Sequence, residues 1–186
     1  MTLGEAASGD GAAAPPLRVG IVGLISSYSL LVAEELGRVE GVELIGAAHL
    51  GRDDRYMADS LALPWLKRFP KDRAGYAETF GVPVVESLDE LCAAGAQAVV
   101  LGTEEYLRTR YAIQALERGL HVYLPKPFAY TTDDVSRLRE AAAKSPATLF
   151  PSLPHRWSAV HRRAAELLTP ERLGRPLLLR SAITHH

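Results

Sequence analysis

Short runs of apolar, largely β-branched residues recur along the chain and alternate with longer stretches that carry helical periodicity. Each run is short enough for a strand that is buried on both faces. The runs lie at residues 17–23, 42–48, 82–85, 98–101, 121–124 and 148–150. Six such strands alternating with amphipathic helices predict a doubly wound, mainly parallel α/β sheet that is covered by helices on both faces.

Polar residues that can cap helices mark where several of the predicted helices begin. Ser26 and Ser27 precede a helical stretch over 30–39, where their hydroxyls can accept hydrogen bonds from the first helix amides. Ser87 followed by Glu90 is typical of a capping box. We therefore predict a helix start at each of these positions.

The remaining helices follow from similar signals. Pro64 and Pro70 interrupt residues 53–80, which predicts a short helix, a loop and then a helix over 72–79. A helix from about Glu105 is expected to end near Gly119, since glycine favours helix C-termini. Another is expected to be capped by Thr132.

The two ends of the chain differ in character from the alternating segment at 17–152. Residues 1–16 are rich in Ala and Gly and lack the features of a signal peptide, so we expect a disordered tail. Residues 153–186 contain a predicted helix at 157–168 and a Leu-rich strand at 177–183. A strand without a neighbour exposes unpaired backbone groups. We interpret 153–186 as a linker helix and the start of a truncated second domain. The alternative, pairing with another copy in a homo-oligomer, stays open.

Composition and charge exclude several classes of function. The chain has 186 residues and a formal net charge of −1, which gives no electrostatic basis for binding nucleic acid or an anionic membrane. The single cysteine, Cys92, cannot form an internal disulfide and fits a cytoplasmic, reducing compartment. Acidic neighbours are expected to raise its pKa and make it a poor nucleophile. No group of His, Cys and carboxylates has metal-ligand spacing.

Three segments carry a resemblance to a known family. They are Arg18–Gly23, Ala98–Thr103 and Ala115–Ala129. Together they resemble the N-terminal half of the Gfo/Idh/MocA family, the relatives of glucose–fructose oxidoreductase and inositol dehydrogenase. The most specific stretch, ALERGLHVYLPKPFA, is similar to the family pattern A-L-x-x-G-K-H-V-x-x-E-K-P-x-A. The resemblance extends over about residues 17–183.

The resemblance implies an NAD(P)-dependent oxidoreductase that acts on a sugar, a polyol or a related hydroxyl compound. In this family a Rossmann-like N-terminal domain holds the dinucleotide. A C-terminal domain shapes the substrate pocket and provides an Asp and a His that assist proton transfer. Because that second domain is missing from this sequence, we expect the chain by itself to be inactive.

The turn after the first strand is the first candidate for cofactor binding. A dinucleotide fingerprint reads G-x-G-x-x-G, whereas only Gly23 of the three glycines is present here. Ile25 and Tyr28 stand at the other two positions and are expected to obstruct the usual approach of the pyrophosphate. Ser26, Ser27 and the helix amides can still bind a phosphate group. A tight turn that binds no ligand remains the alternative.

Two further candidates stand after the second and fourth strands. The resemblance aligns His49 with the acidic residue that holds the adenosine ribose, so the ribose acceptor is lost. His49 with Arg52 suits the 2′-phosphate of NADP instead, and an exposed loop histidine is the alternative. Thr103 matches the first residue of the family's T-P-x-x-x-H segment, which lines the nicotinamide. Glu104 and Arg108 replace the proline and the histidine of that segment.

Lys126 is the candidate catalytic residue. The resemblance implies that this lysine orients the substrate and helps to move a proton while hydride goes to the nicotinamide. It follows the fifth strand, and open α/β sheets bind ligands at the carboxyl ends of their strands. Pro127 after it is also placed at the cofactor, and a cis bond before Pro127 suits a turn that faces a ligand. Pro125 replaces the glutamate of the family pattern.

Two other functions stay open beside the oxidoreductase. One is a non-catalytic binding or assembly subunit that keeps the fold and has lost the dinucleotide; Ile25, Tyr28, His49 and Pro125 favour it. The other is a site for a different nucleotide, such as ATP or S-adenosylmethionine. The oxidoreductase hypothesis implies NAD or NADP and a small hydroxylated substrate as partners.

Overall fold

The computed structural model describes residues 14–175, 177–178 and 180. Strands and helices alternate along these residues, as the apolar pattern predicts. The strands are β1 (Leu17–Val22), β2 (Val42–Ala48), β3 (Val84–Val85), β4 (Ala98–Leu101), β5 (His121–Pro125) and β6 (Leu149–Ser152). The helices are α1 (Ser27–Leu36), α2 (Asp54–Ser60), α3 (Arg73–Phe80), α4 (Leu88–Ala93), α5 (Glu105–Glu117), α6 (Thr132–Lys144), α7 (Pro154–Trp157), α8 (Ala159–Leu167) and α9 (Pro170–Leu173), with a 3₁₀ turn at Pro64–Leu66.

The six strands form one sheet in the order β3-β2-β1-β4-β5-β6. Every strand pair with a defined register is parallel. The strand order reverses beside β1: β2 and β3 extend from β1 to one edge of the sheet, and β4, β5 and β6 extend from it to the other edge. The predicted doubly wound, mainly parallel sheet is confirmed.

Helices cover both faces of the sheet, and each face has its own apolar core. Side chains alternate along β1, so that Ile21 belongs to the core under α1, α2 and α3, and Val22 to the core under α4, α5 and α6. The largest fully buried side chains of both cores include Tyr76, Leu30, Met57, Leu91, Leu116 and Leu124. Burial of such side chains from both faces explains why the strands read as continuous apolar runs.

Two glycines in adjacent strands allow α4 to lie close to the sheet. Gly20 of β1 pairs with Gly46 of β2. A Cβ atom at either position would lie 3.0 or 3.2 Å from a methyl carbon of Leu91 on α4. The buried Leu91 side chain therefore occupies the space that two missing side chains leave.

The helix boundaries correct three of the sequence-based expectations. The first helix, predicted over 30–39, begins at Ser27 and ends at Leu36, with Ser26 as its N-cap. Helix α6 is capped by Thr131, not by Thr132, because Thr131 forms a reciprocal capping box with Asp134. The helix predicted over 157–168 corresponds to α8 alone, and a separate short helix, α7, precedes it, since the backbone is extended at Ser158 between them.

The described residues divide into two compact units, with the boundary between Pro151 and Ser152. The second unit contains α7, α8 and α9. The strand predicted at 177–183 lies outside the described residues except for 177, 178 and 180, and the predicted tail lies outside them except for 14–16. The predicted domain limits therefore stay predictions. In the described ranges no helix is both long and apolar enough to cross a membrane.

Tyr76 provides a test of the packing between α3 and α1. Its side chain is fully buried, and its hydroxyl donates a 2.8 Å hydrogen bond to the carbonyl oxygen of Ser29. Replacing Tyr76 with Phe removes this bond and keeps the ring, so we expect the free energy of unfolding to fall by about 1 kcal/mol. Urea denaturation followed by circular dichroism measures it. Tyr130→Phe is the control, because Tyr130 is largely exposed; an equal change in both variants would contradict the assignment.

Candidate functional site

The loops that follow β2, β1 and β4 begin side by side at the carboxyl edge of the sheet. Val22 is in register with Ala48 on one side and with Leu101 on the other. The pairing continues one residue further, since the Gly23 amide donates to the Ala48 carbonyl and the Gly102 amide donates to the Val22 carbonyl, both at 2.7 Å. Open parallel sheets bind ligands at this edge, where the strand order reverses.

The turn after β1 packs tightly against the end of β4. Gly23 has φ +88°, and a Cβ atom added there would lie 2.8 Å from the backbone of Thr103. A Cβ atom added to Gly102 would lie 2.8 Å from the Cβ atom of Ser29. Gly102 therefore gives α1 its close approach, a role that the third glycine has in the usual fingerprint. Sequence reasoning missed Gly102, although a glycine directly after a buried strand signals such an approach.

Helix α1 starts at the carboxyl edge of the sheet, directly after β1 and the turn that follows it. The Ser26 hydroxyl accepts a hydrogen bond from the Tyr28 amide at 3.3 Å, and the Ser29 hydroxyl donates to the Ser26 carbonyl at 2.5 Å. Ser27 is the first helical residue. Ile25 and Tyr28 are half-buried, and their obstruction of a pyrophosphate stays a prediction. The helix N-terminus can hold an anion at this position.

The loop after β2 is held by His49. Its side chain is 5% exposed, so the exposed-loop alternative is wrong. Nδ1 lies 3.0 Å from the Arg52 carbonyl, and Nε2 lies 2.8 Å from a Glu86 carboxylate oxygen and 3.2 Å from a guanidinium nitrogen of Arg73. Both ring nitrogens thus contact protein groups, and the ring fixes the path of the loop. Its contact with a cofactor ribose stays a prediction.

An ion pair connects the loop after β2 with the loop after β4. Arg52 and Glu104 approach to 2.6 Å, and the Tyr56 hydroxyl donates a 3.0 Å hydrogen bond to the same Glu104 oxygen. The guanidinium carbon also lies 5.3 Å from the Tyr56 ring centre. Burial and the bond to Glu104 raise the pKa of Tyr56 above its ordinary value, which keeps the phenol a donor. We call this group the Arg52–Glu104 bridge. Sequence reasoning missed it, because each residue alone is typical of an exposed loop or a first helical turn.

Thr103 is fully buried beneath the turn, and its hydroxyl donates to the Glu104 carbonyl at 3.2 Å. Its methyl group would meet a side chain at Gly23. Thr103 therefore supports the turn after β1 from below. The implied contact with a nicotinamide stays a prediction for this residue.

Lys126 and Pro127 form an exposed turn at the carboxyl end of β5, and the peptide bond between them is cis. Arg108 of α5 holds this turn from inside: one guanidinium nitrogen donates to the Lys126 carbonyl at 2.8 Å and to the Pro127 carbonyl at 3.1 Å. Arg108 is 3% exposed, and burial lowers its pKa. Its Nε has no hydrogen-bond partner in the part of the chain that the structure describes. The sequence marked Arg108 only as a departure from the family histidine.

The structure brings all predicted site residues to one edge of the sheet. Gly23, Ser26 and Ser27 follow β1, while His49 and Thr103 follow its two neighbours, β2 and β4. Lys126 and Pro127 follow β5, one strand further along. The edge therefore carries the N-terminus of α1 at its centre, an ion pair that joins the loops on either side of it, and an exposed lysine after β5.

Two other classes of site find no support among residues 14–175. In that range no group of three or more His, Cys, Asp or Glu residues can hold a metal ion. Burial, and to a smaller extent Asp89, raises the pKa of the Cys92 thiol. The expected direction is confirmed, and burial is the main cause.

These features define a Rossmann-type domain, with the predicted site residues at the carboxyl edge of its sheet. The family model described as "Oxidoreductase family, NAD-binding Rossmann fold" matches residues 17–152. The chain belongs to this family, the Gfo/Idh/MocA oxidoreductases, and the predicted resemblance is confirmed.

Two curated relatives show similarity over part of their length. A 1-carboxy-3-chloro-3,4-dihydroxycyclohexa-1,5-diene dehydrogenase of Comamonas testosteroni is 27% identical over 89% of this chain and 37% of the relative. A 1,5-anhydro-D-fructose reductase of Ensifer adhaerens is 30% identical over 58% of this chain and 33% of the relative. The matches thus span only about a third of these relatives' own length.

Two solved structures share the fold. GenD2 from gentamicin A biosynthesis, in complex with NAD, superposes with a TM-score of 0.69 at 25% identity, covering 92% of this chain and 44% of that one. The WlbA dehydrogenase of Bordetella pertussis, in complex with NADH and UDP-GlcNAcA, superposes with a TM-score of 0.68 at 23% identity, covering 86% and 44%. The latter likeness shows the fold alone.

Gly23 provides a test of the turn that supports the site. We expect Gly23→Ala to lower the free energy of unfolding by about 2 kcal/mol or more, because the new Cβ combines strain at positive φ with a clash against the Thr103 backbone. Gly41→Ala is the control, since Gly41 also has positive φ and no atom within 4 Å of its added Cβ. Chemical denaturation compares the two, and equal losses would show that the contact with Thr103 is unimportant.

Proposed function

We propose that this chain is the dinucleotide-binding part of an NAD(P)-dependent oxidoreductase that acts on a sugar, a polyol or a related hydroxyl compound. The observation that carries the proposal is the exposed Lys126 turn, held by Arg108 at the same sheet edge as the N-terminus of α1. Relatives whose names include a sugar-derived ketone and a dihydroxylated ring support this substrate class.

The residues at the edge fit a dinucleotide. The N-terminus of α1 with Ser26 and Ser27 would hold the pyrophosphate, since its amides and dipole favour anions. His49 and Arg52 lie on the β2 side, where the adenosine ribose of a dinucleotide belongs. Thr103 and Pro127 lie on the β4 and β5 side, where the nicotinamide would lie. A bound nicotinamide supplies the hydride acceptor for oxidation of an alcohol.

Lys126 would act on the substrate hydroxyl. Its amine donates a hydrogen bond that orients the hydroxyl oxygen, and in its neutral form the amine accepts the hydroxyl proton while the adjacent C–H bond breaks. The reaction leaves a carbonyl group on the substrate and a proton on the Lys126 amine. Arg108 contributes by position, because its two hydrogen bonds fix the backbone from which Lys126 projects.

We expect the chain by itself to bind a dinucleotide without turning over substrate. The segment that this chain matches covers only 37% and 33% of two curated relatives, so most of the length of those enzymes lies outside it. NAD(P)H formation by the isolated chain with a panel of polyols and sugars would contradict this expectation.

Titration with NADH and NADPH, followed by cofactor fluorescence, tests the proposal. We expect saturable binding, and Ser26→Asp should weaken it by about tenfold or more. Aspartate caps helices as well as serine does, so the variant keeps α1 and adds a negative charge beside the pyrophosphate. Thr131→Asp changes the cap of α6 in the same way and serves as the matched control.

The same titration separates the alternatives. Absence of binding at millimolar concentrations of both cofactors would favour the non-catalytic binding or assembly subunit. Binding of ATP or S-adenosylmethionine in preference to both would favour a different nucleotide. If the wild type and Ser26→Asp bind NADH with equal affinity, the pyrophosphate does not bind at the N-terminus of α1.

A further inference from the structure

We infer that Glu104 sets the cofactor preference of this site, because its pairing with Arg52 neutralises the cation that would otherwise hold the 2′-phosphate of NADP(H). The site then favours NAD(H). This inference rests on the proposed function and adds to it the identity of the cofactor and of the residue that selects it.

The position of Arg52 is the reason that cofactor choice is decided here. An arginine near the end of the second strand of a Rossmann fold accommodates the 2′-phosphate, whereas an acidic residue there binds the ribose hydroxyls of NAD. Arg52 follows β2 by four residues, and His49 supplies no carboxylate. From the sequence alone, His49 and Arg52 suit a 2′-phosphate.

The structure changes that expectation, because the Arg52 guanidinium already has a carboxylate partner. The 2.6 Å contact with Glu104 is supported by the Tyr56 hydroxyl, which donates to the same oxygen. The Glu104 side chain is 9% exposed, whereas that of Arg52 is 39% exposed. A phosphate that draws Arg52 away would leave the largely buried Glu104 carboxylate without its ion partner, which is unfavourable.

The neighbouring arginine offers no substitute. The Arg73 side chain donates to the Asp54 carboxylate at 2.9 Å, and its guanidinium also lies 3.9 Å from a Glu86 carboxylate oxygen. Three carboxylates therefore oppose two guanidinium groups around the end of β2, which repels a doubly charged phosphate. The neutral ribose hydroxyls of NAD(H) meet no such repulsion, and they can donate to the exposed Glu86 carboxylate.

Four proteins test the inference: the wild type, Glu104→Gln, Arg52→Gln and the double variant. Dissociation constants for NADH and NADPH are measured for each by fluorescence titration at low salt. Gln keeps the shape of Glu and still accepts the Tyr56 hydrogen bond, so it removes the charge with little other change. Glu140→Gln is the matched control, since Glu140 pairs with Lys144 on α6, also at 2.6 Å.

We expect the wild type to bind NADH about tenfold more tightly than NADPH or better. Glu104→Gln should tighten NADPH binding by about tenfold and change NADH binding by less than about threefold. The double variant should lose this gain in NADPH affinity, since it lacks the Arg52 guanidinium that Glu104→Gln frees to bind the 2′-phosphate. The gain should also shrink at high salt, because it arises from an exposed charge contact. Glu140→Gln should leave the ratio of the two constants unchanged.

Several results would overturn the inference. An unchanged ratio in Glu104→Gln would show that Glu104 does not select the cofactor, while NADH binding would leave the proposed function intact. The same conclusion would follow if the wild type preferred NADPH, or if the double variant kept the tighter NADPH binding of Glu104→Gln. Failure of the wild type and of every variant to bind either cofactor would remove both the inference and the proposed function.

Discussion

The contact between the turn after β1 and the end of β4 is the constraint on which the site depends. Gly23 and Gly102 lack side chains where the two segments meet, and buried Thr103 fills the space below the turn. This contact fixes where α1 begins and therefore where its amides point. Since β1 is also paired with β2, one local packing arrangement aligns three loops at the same edge.

Buried polar side chains hold these loops in place. His49 fixes the loop after β2, Glu104 connects it to the loop after β4, and Arg108 holds the turn after β5. Each makes contacts that water would otherwise provide, as buried polar groups must. These polar contacts thus fix the backbone of the loops from which exposed side chains such as Lys126 project. This arrangement is common where loops bind ligands on a rigid sheet.

The sequence predicts the strands well and the contacts between loops poorly, for a physical reason. Burial on both faces of a sheet demands apolar residues in consecutive positions, so each strand leaves a local signature. The pairing of Arg52 with Glu104 joins residues far apart in the chain and has no local signature. The hydrogen bonds of Arg108 to the turn after β5 likewise leave no local signature. At Thr131 the local signal was present, but two adjacent threonines compete for the cap, and the partner Asp134 decides between them.

The buried guanidinium beneath the lysine turn has a consequence for tolerance to acid. The family pattern has a histidine at position 108, and a histidine exchanges its proton close to neutrality. Arginine keeps its charge across the whole range in which proteins remain folded. The two carbonyl oxygens that Arg108 binds therefore always face a full positive charge. The hydrogen bonds that support the Lys126 turn are therefore insensitive to changes in the acidity of their surroundings.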